Sequence, residues 1–249
     1  MNQPCTIVIP CYNEEKRFPF ERFAAYAAAH DGIRFLLVND GSKDHTLAVL
    51  RRAREGREDR VDILDQPANG GKGEAVRCGM LAAMERSGCL YAGFWDADLA
   101  TPLESIEELE EVLRERPEVA MVSGARVKLL GRHVERKASR HYLGRVFATV
   151  VSTLLRLAIY DTQCGAKLFR VGEETRRLFA APFCSRWVFD VEIIARFIQE
   201  RRHEIATVEG AIYEYPLPEW RDIAGSRLRI GDFFRAFYDV LHIYWRYRP

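Results

Sequence analysis

The chain alternates between short, almost unbroken apolar runs and longer segments in which apolar residues recur every three to four positions. The first kind suits strands buried on both faces, the second amphipathic helices. Over the first half this alternation predicts strands at residues 5–9, 33–38, 61–65 and 90–95, with helices at 19–29, 44–55 and 73–85 between them. Strand and helix taking turns build a mainly parallel, Rossmann-like sheet flanked by helices, an α/β architecture. Thr101-Pro102-Leu103-Glu104 reads as an N-cap, a first-turn proline and a capping-box glutamate that open a helix over 103–114. A further strand is expected at 119–123. The second half is less regular. It predicts a basic loop over 127–139, where Lys128, Arg132, His133, Arg136 and Lys137 stand against Glu135 alone, and a long, weakly charged helix at 140–159. An irregular loop at 160–165, a short strand at 167–170 and a helix at 188–201 follow. Residues 228–249 mix Phe, Tyr and Trp with arginine and predict an amphipathic C-terminal helix. With no repeat or linker in view, one domain is expected, with a first half at 1–125, a second at 126–227 and the terminal helix at 228–249.

Composition narrows this picture in three ways. At 249 residues, 48% hydrophobic and 29% charged, the chain can bury a full core and is not a disordered polymer. Lys plus Arg total 37 against 36 Asp plus Glu, a net charge of +1, so bulk electrostatics gives no reason to expect nucleic acid, and any cationic site must be local. The six cysteines form no C-x-x-C pair and several sit in apolar runs, as reduced thiols in a cytoplasm would. No basic stretch followed by an apolar core precedes the first strand, so no secretory leader is expected. The longest apolar stretch, 146–159, contains Arg156 and falls short of the ~20 residues a bilayer span needs.

The sharpest chemical signal is Asp96-Ala97-Asp98 at the end of the strand that closes on Trp95. In an extended segment residues i and i+2 project to the same side, so the two carboxylates can share one hard cation, Mg²⁺ or Mn²⁺, which keeps positions open for water and diphosphate oxygens. An isolated D-x-D is more often a solvated turn. Here it has company. Pro10-Cys11-Tyr12-Asn13-Glu14 follows the first strand, Asn39-Asp40-Gly41-Ser42 the second, and Asn69-Gly70-Gly71-Lys72-Gly73 comes after the third. Open α/β sheets bind ligands at this edge. Tyr12 suits a base face, Glu14 and Asp40 can accept hydrogen bonds from base or ribose, and Lys72 offers a point charge among glycines that allow close backbone approach.

These blocks resemble glycosyltransferase family 2, nucleotide-sugar enzymes of the type-A glycosyltransferase fold. In the second half, residues 161–169 (Asp-Thr-Gln-Cys-Gly-Ala-Lys-Leu-Phe), 186–192 (Arg-Trp-Val-Phe-Asp-Val-Glu) and Trp220 followed by Gly225-Ser226-Arg227 look like the dolichyl-phosphate glucosyltransferase branch, relatives of the dolichyl-phosphate mannosyltransferases. The resemblance implies that Asp96 and Asp98 handle metal and nucleotide, with Asp98 as the direct ligand. It implies that Pro10, Tyr12, Glu14, Asp40 and Lys72 line the nucleotide pocket, to which Asn13, Asn39, Ala97 and Trp187 belong as members of the matched blocks. Arg126, Arg136 and Arg140 match arginines that receive a lipid phosphate, and Ser226 with Arg227 a loop near the donor diphosphate. Two positions depart from the pattern: Asn39-Asp40 stands where the family has paired aspartates, and Ala166 where its members tend to have an aromatic.

The implied reaction is an inverting, metal-dependent transfer of a hexose, glucose from UDP-glucose, to a polyprenyl phosphate. GDP-mannose as donor, a saccharide hydroxyl as acceptor, and a nucleotide-sugar-binding protein without turnover stand as alternatives. The acceptor decides what Asp161 does. A hydroxyl would need it as a general base, whereas a phosphate monoester, with a second pKa near ~6, would not, and Asp161 could then orient Lys167 or Arg140. Gln163, Asp190 and Glu192 either contact sugar hydroxyls or brace their loop. Residues 140–159 and 228–248 are candidates for peripheral membrane contact at the cytoplasmic face, or for a homodimer seam.

Overall fold

The computed structural model describes residues 4–135, 138–223 and 230–248. It divides into two compact units, Met1–Leu99 with Gly165–Pro182, and Ala100–Cys164 with Phe183–Pro249.

The first unit is built on β1 (Cys5–Cys11), β2 (Ile33–Asp40), β3 (Val61–Gln66) and β4 (Tyr91–Trp95), with α1 (Phe20–Ala29), α2 (Thr46–Arg54) and α3 (Lys72–Met84) in the connections. The strands fall where the apolar runs predict them. All four are parallel, in the order β3-β2-β1-β4, and a later strand, β7 (Ala166–Arg170), joins β4 antiparallel with Trp95 opposite Ala166. Burial along nearly all of β1 and β2, with Arg34 the exposed exception, explains why they read as almost unbroken apolar runs. Helix α3 lies hard against β1 and β2. A Cβ at Gly79 would come within 2.3 Å of Val8 Cγ1 and 2.9 Å of Val38 Cγ2, so only glycine lets the helix approach this closely. Helix α6 (Glu173–Ala180) completes the unit, and Arg176 and Arg77 tie it to α3 by donating to the carbonyls of Met84, Phe179 and Ala180.

The second unit holds α4 (Ser105–Glu115), β5 (Met121–Ala125), β6 (His133–Glu135), α5 (Ala138–Leu155), α7 (Phe189–Glu200), α8 (Ile205–Ala211), β8 (Ile212–Pro216), β9 (Glu219–Arg221) and α9 (Ile230–Tyr247). β5 pairs in parallel with β8, and β6 with β9. Helix α7 is the centre of this core, buried from Phe189 through Ile198. The helix expected from residue 103 begins at Ser105, and its N-cap residue, Glu104, makes no side-chain capping bond. Thr101 and Leu103 are buried, which turns the segment inward. Ser105 N–H bonds to Pro102 O and Ile106 N–H to Leu103 O, a tight turn in place of a capping box. The strand expected at 119–123 starts two residues later, because Val119 N–H closes a turn on Arg116 O. The basic loop contains β6, and α6, α8, β8 and β9 were not anticipated.

Two faces of α9 are distinct. Val240 and Ile243 point inward, while Arg235, Tyr238, Leu241, His242, Trp245 and Arg246 are exposed. Polar contacts fix α9 to α7 and to the loop before α7: Tyr247 O–H donates to Glu192 Oε1 at 2.7 Å, and Ser185 O–H to Asp239 Oδ2 at 2.6 Å. Among the described residues no helix is long and apolar enough to cross a membrane.

Candidate active site

Parallel pairing sends the loops after β1, β2, β3 and β4 out from one edge of the sheet, where residue-level contacts join them. Asn13, at φ 52°, accepts from Lys43 N–H through Oδ1 at 2.9 Å and donates its own N–H to Ser42 Oγ at 3.1 Å. Glu14 N–H reaches Thr46 Oγ1 at 2.7 Å. The first two loops are thereby one piece, with Pro10 and Tyr12 half-buried beside them. Asp40 then organises the third loop: its buried carboxylate accepts from Gly70 N–H at 2.7 Å, Gly71 N–H at 2.9 Å and Asn69 Nδ2 at 2.7 Å. Gly41 permits this approach, since it has φ +56° and its Cβ would lie 2.4 Å from the backbone of Ala68 and Asn69. Asn39 spans the same region, donating to Asp65 Oδ1 at 2.7 Å and accepting from Ser42 N–H at 3.3 Å. Asp40 is thus occupied in shaping the glycine loop, and Asn39 in tying its own turn to the end of β3.

Past β4, Asp96 and Asp98 are half-exposed and Ala97 is buried between them. Lys72 Nζ, at the start of α3, sits 2.5 Å from Asp96 Oδ1. Arg17 is paired with Glu14, its Nη2 donating to Oε1 at 2.5 Å. That bond, and then the charges of Glu14 and Asp98, raise the Arg17 pKa above its ordinary value. The donor set fits a hard divalent cation in kind: two carboxylates, accessible to water, with lysine's positive charge already drawn to one of them. Among the described residues no three acidic, imidazole or thiol groups converge, so a cation held by these two acids would take its remaining ligands from water and a diphosphate. No motif of the sequence marks Arg17. Its place three residues after Glu14, within ion-pair reach on a turn, was the available signal.

In the second unit, Asp161 is held by Arg126, whose Nε donates at 2.6 Å, Nη2 at 2.7 Å and backbone N–H at 3.1 Å. Gln163 N–H adds a fourth donor at 3.2 Å. Both side chains are largely buried, at 12% and 8% exposure, and the Arg126 guanidinium lies 5.3 Å over the Trp220 ring. Glu214 of β8 fixes the loop from below, accepting Tyr160 N–H at 2.7 Å and Asp161 N–H at 2.8 Å. An acid in the middle of a short apolar strand was the signal that could have revealed it. Gln163 keeps a buried Nε2 with no hydrogen-bond partner among the described residues. Trp187 is exposed, and Asp190 is buried in the first turn of α7. Glu192 is a brace: fully buried, it accepts from Arg196 and Tyr247 and from Cys184 N–H. Arg136, Ser226 and Arg227 lie outside the described residues. Arg140 is placed only as a member of α5.

Comparison with known proteins follows the same lines. The family model described as glycosyl transferase family 2 matches residues 6–173. A dolichyl-phosphate β-glucosyltransferase of Trichomonas vaginalis is 33% identical over 96% of this chain and 70% of its own length, and the human dolichyl-phosphate β-glucosyltransferase 32% identical over 97% and 75%. Among solved structures, glucosyl-3-phosphoglycerate synthase from Mycobacterium tuberculosis superposes with a TM-score of 0.67 at 17% identity, covering 98% of this chain and 80% of that one. The same protein in complex with Mn²⁺, UDP and glucosyl-3-phosphoglycerate gives 0.65 at 16% identity, with the same coverage. The structural likeness establishes the type-A glycosyltransferase fold. With a family match across more than half its length and relatives aligned along nearly all of it, the chain belongs to glycosyltransferase family 2.

Proposed function

We propose that this protein transfers glucose from UDP-glucose to the phosphate of a dolichyl or related polyprenyl phosphate, with inversion, giving a β-linked lipid phosphate sugar. The observation that carries this reading is the alignment with dolichyl-phosphate β-glucosyltransferases over 96–97% of the chain, through both the sheet-edge loops and the Asp161 block. Asp96 and Asp98 would hold a divalent ion, Mg²⁺ or Mn²⁺, which supplies charge neutralisation for the departing diphosphate. Lys72 adds a second positive charge at the amino end of α3, and Asp40 holds the glycine backbone in shape beside it. Pro10, Tyr12, Asn13 and Glu14 would receive the nucleoside, and Ser226 with Arg227 the diphosphate. Gln163, Trp187 and Asp190 would take the sugar side, and Arg126, Arg136 and Arg140 the acceptor phosphate.

Asp161 supports a phosphate acceptor. Its oxygens already accept four donors, a guanidinium fork among them, so it is arranged to hold Arg126 rather than to take up a proton. A phosphate monoester is largely dianionic at neutral pH and needs no base. Asp161→Asn should therefore cost about tenfold in turnover, through a loosened Arg126, with an unchanged pH profile. A loss of ~10² to 10⁴, the range for removing a general base, would favour a saccharide hydroxyl instead.

The activity is tested by incubating the protein with labelled UDP-glucose, Mg²⁺ and polyprenyl phosphate and following label into the organic phase. Label there, lost with chelator and absent with GDP-mannose, is the expected result. Label only in a water-soluble saccharide, or only from GDP-mannose, would overturn the assignment. The exposed face of α9, where Tyr238, Leu241 and Trp245 lie between Arg235 and Arg246, would rest on the cytoplasmic surface of the membrane. Co-sedimentation with anionic phospholipid vesicles should then fall several-fold in Leu241→Ser/Trp245→Ser. Unchanged sedimentation with vesicles, or self-association removed by the same changes, would point to a dimer seam.

A further inference from the structure

Gly165 stands immediately before β7 and is not among the glycines with positive φ, so its backbone conformation does not demand glycine. Its surroundings do. A Cβ at this position would fall 1.9 Å from Asp96 Oδ2, 2.2 Å from Asp96 Cγ and 2.6 Å from Asp96 Oδ1. All three excluding atoms belong to one carboxyl group. The backbones are locked together at the same point, with Asp96 N–H donating to Gly165 O at 3.0 Å and Trp95 in register with Ala166. On its other side the carboxylate meets Lys72 Nζ at 2.5 Å.

We propose that the space left by the absent side chain of Gly165 is the seat of the Asp96 carboxylate, which makes Gly165 a positioning residue for the donor site that acts only through Asp96. Its role in binding rests on the reading of Asp96 given above; the seat itself does not. A methyl group here would meet the mobile end of a short side chain rather than backbone. The chain would still fold, with Asp96 rotated to another χ1 well and drawn off Lys72.

Four proteins test this: the parent, Gly165→Ala, Asp96→Ala and the double variant, each measured by thermal melting and by calorimetric binding of UDP with Mn²⁺. Gly165→Ala should lower the melting temperature by about 2–4 °C in the parent and by under about 1 °C in the Asp96→Ala background. It should weaken Mn²⁺–UDP binding by about tenfold or more, to the level of Asp96→Ala, and the double variant should bind no more weakly than Asp96→Ala. Equal melting shifts in both backgrounds would overturn the seat. So would near-parental binding by Gly165→Ala when Asp96→Ala is impaired, or a double variant much weaker than Asp96→Ala. Should Asp96→Ala itself bind like the parent, the donor-site reading of Asp96 fails and the melting cycle alone judges the seat. Should Gly165→Ala not fold, recovery of folding in the double variant supports the seat, and failure of both overturns it.

Discussion

Asp98→Ala is expected to reduce transfer of glucose into lipid by on the order of 10³-fold or more, while the melting temperature stays close to that of the parent. The reason lies in where charge develops. As the bond from sugar to diphosphate breaks, the leaving group gains negative charge, and a cation held by Asp96 and Asp98 would supply charge stabilisation worth several kcal/mol, each ~1.4 kcal/mol being a factor of ten in rate. Asp98 is half-exposed at the end of β4, outside the packed strand, so its loss removes little folding energy. Circular dichroism melts together with the label assay separate the two effects. A variant that folds and keeps more than a tenth of parental turnover would remove Asp98 from the cation site.

Glu192→Ala should have the largest effect on stability, about 3–5 kcal/mol, the range for stripping a buried ion of its counter-charge. Glu192 is fully buried and Arg196 nearly so, with side-chain exposures of 0% and 6%, and they meet at 2.7 Å. Tyr247 adds a donor from α9, its hydroxyl pKa pushed up first by burial and then by the Glu192 carboxylate, so it stays protonated at neutral pH. Losing Glu192 therefore loosens α9 as well as exposing Arg196 to an unfavourable interior. For a domain of ordinary stability, about 5–15 kcal/mol, this is a third or more of the total. Urea unfolding reads it directly, and Glu192→Ala/Arg196→Met should recover part of the loss. A shift below about 1 kcal/mol would show that the pair carries little of the fold.

What the sequence reveals follows burial. β1 and β2 are legible because both of their faces are largely covered, leaving apolar runs broken only at Thr6 in β1 and at Arg34 and the closing Asn39-Asp40 in β2. α6 is not, because eight residues with only Thr175, Leu178 and Phe179 turned inward make too short a period to recognise. β8 is half-buried throughout and carries Glu214 and Pro216, so it lacks the alternation of a strand. The donor-side loops were legible as blocks because glycine, asparagine and aspartate at strand ends signal turns with chemistry. Their internal roles were not. A sequence shows that Asp40 follows a strand, but only the fold shows its carboxylate turned toward Gly70 and Gly71. In the same way the sequence offers Arg126 as a cation for a phosphate, but only the fold shows Asp161, 35 residues on, holding its guanidinium in place.

The tight fit of Gly79 against β1 and β2 makes α3 a lever with a fixed fulcrum. Lys72 lies seven residues away on the same rigid rod, roughly 10 Å along its axis at ~1.5 Å per residue. A larger residue at the fulcrum would tip the rod and carry the lysine tip with it. With Lys72 in the proposed role, affinity for a sugar nucleotide would be sensitive to this buried position on the far side of the helix from any pocket, and screens confined to pocket-lining residues would overlook it.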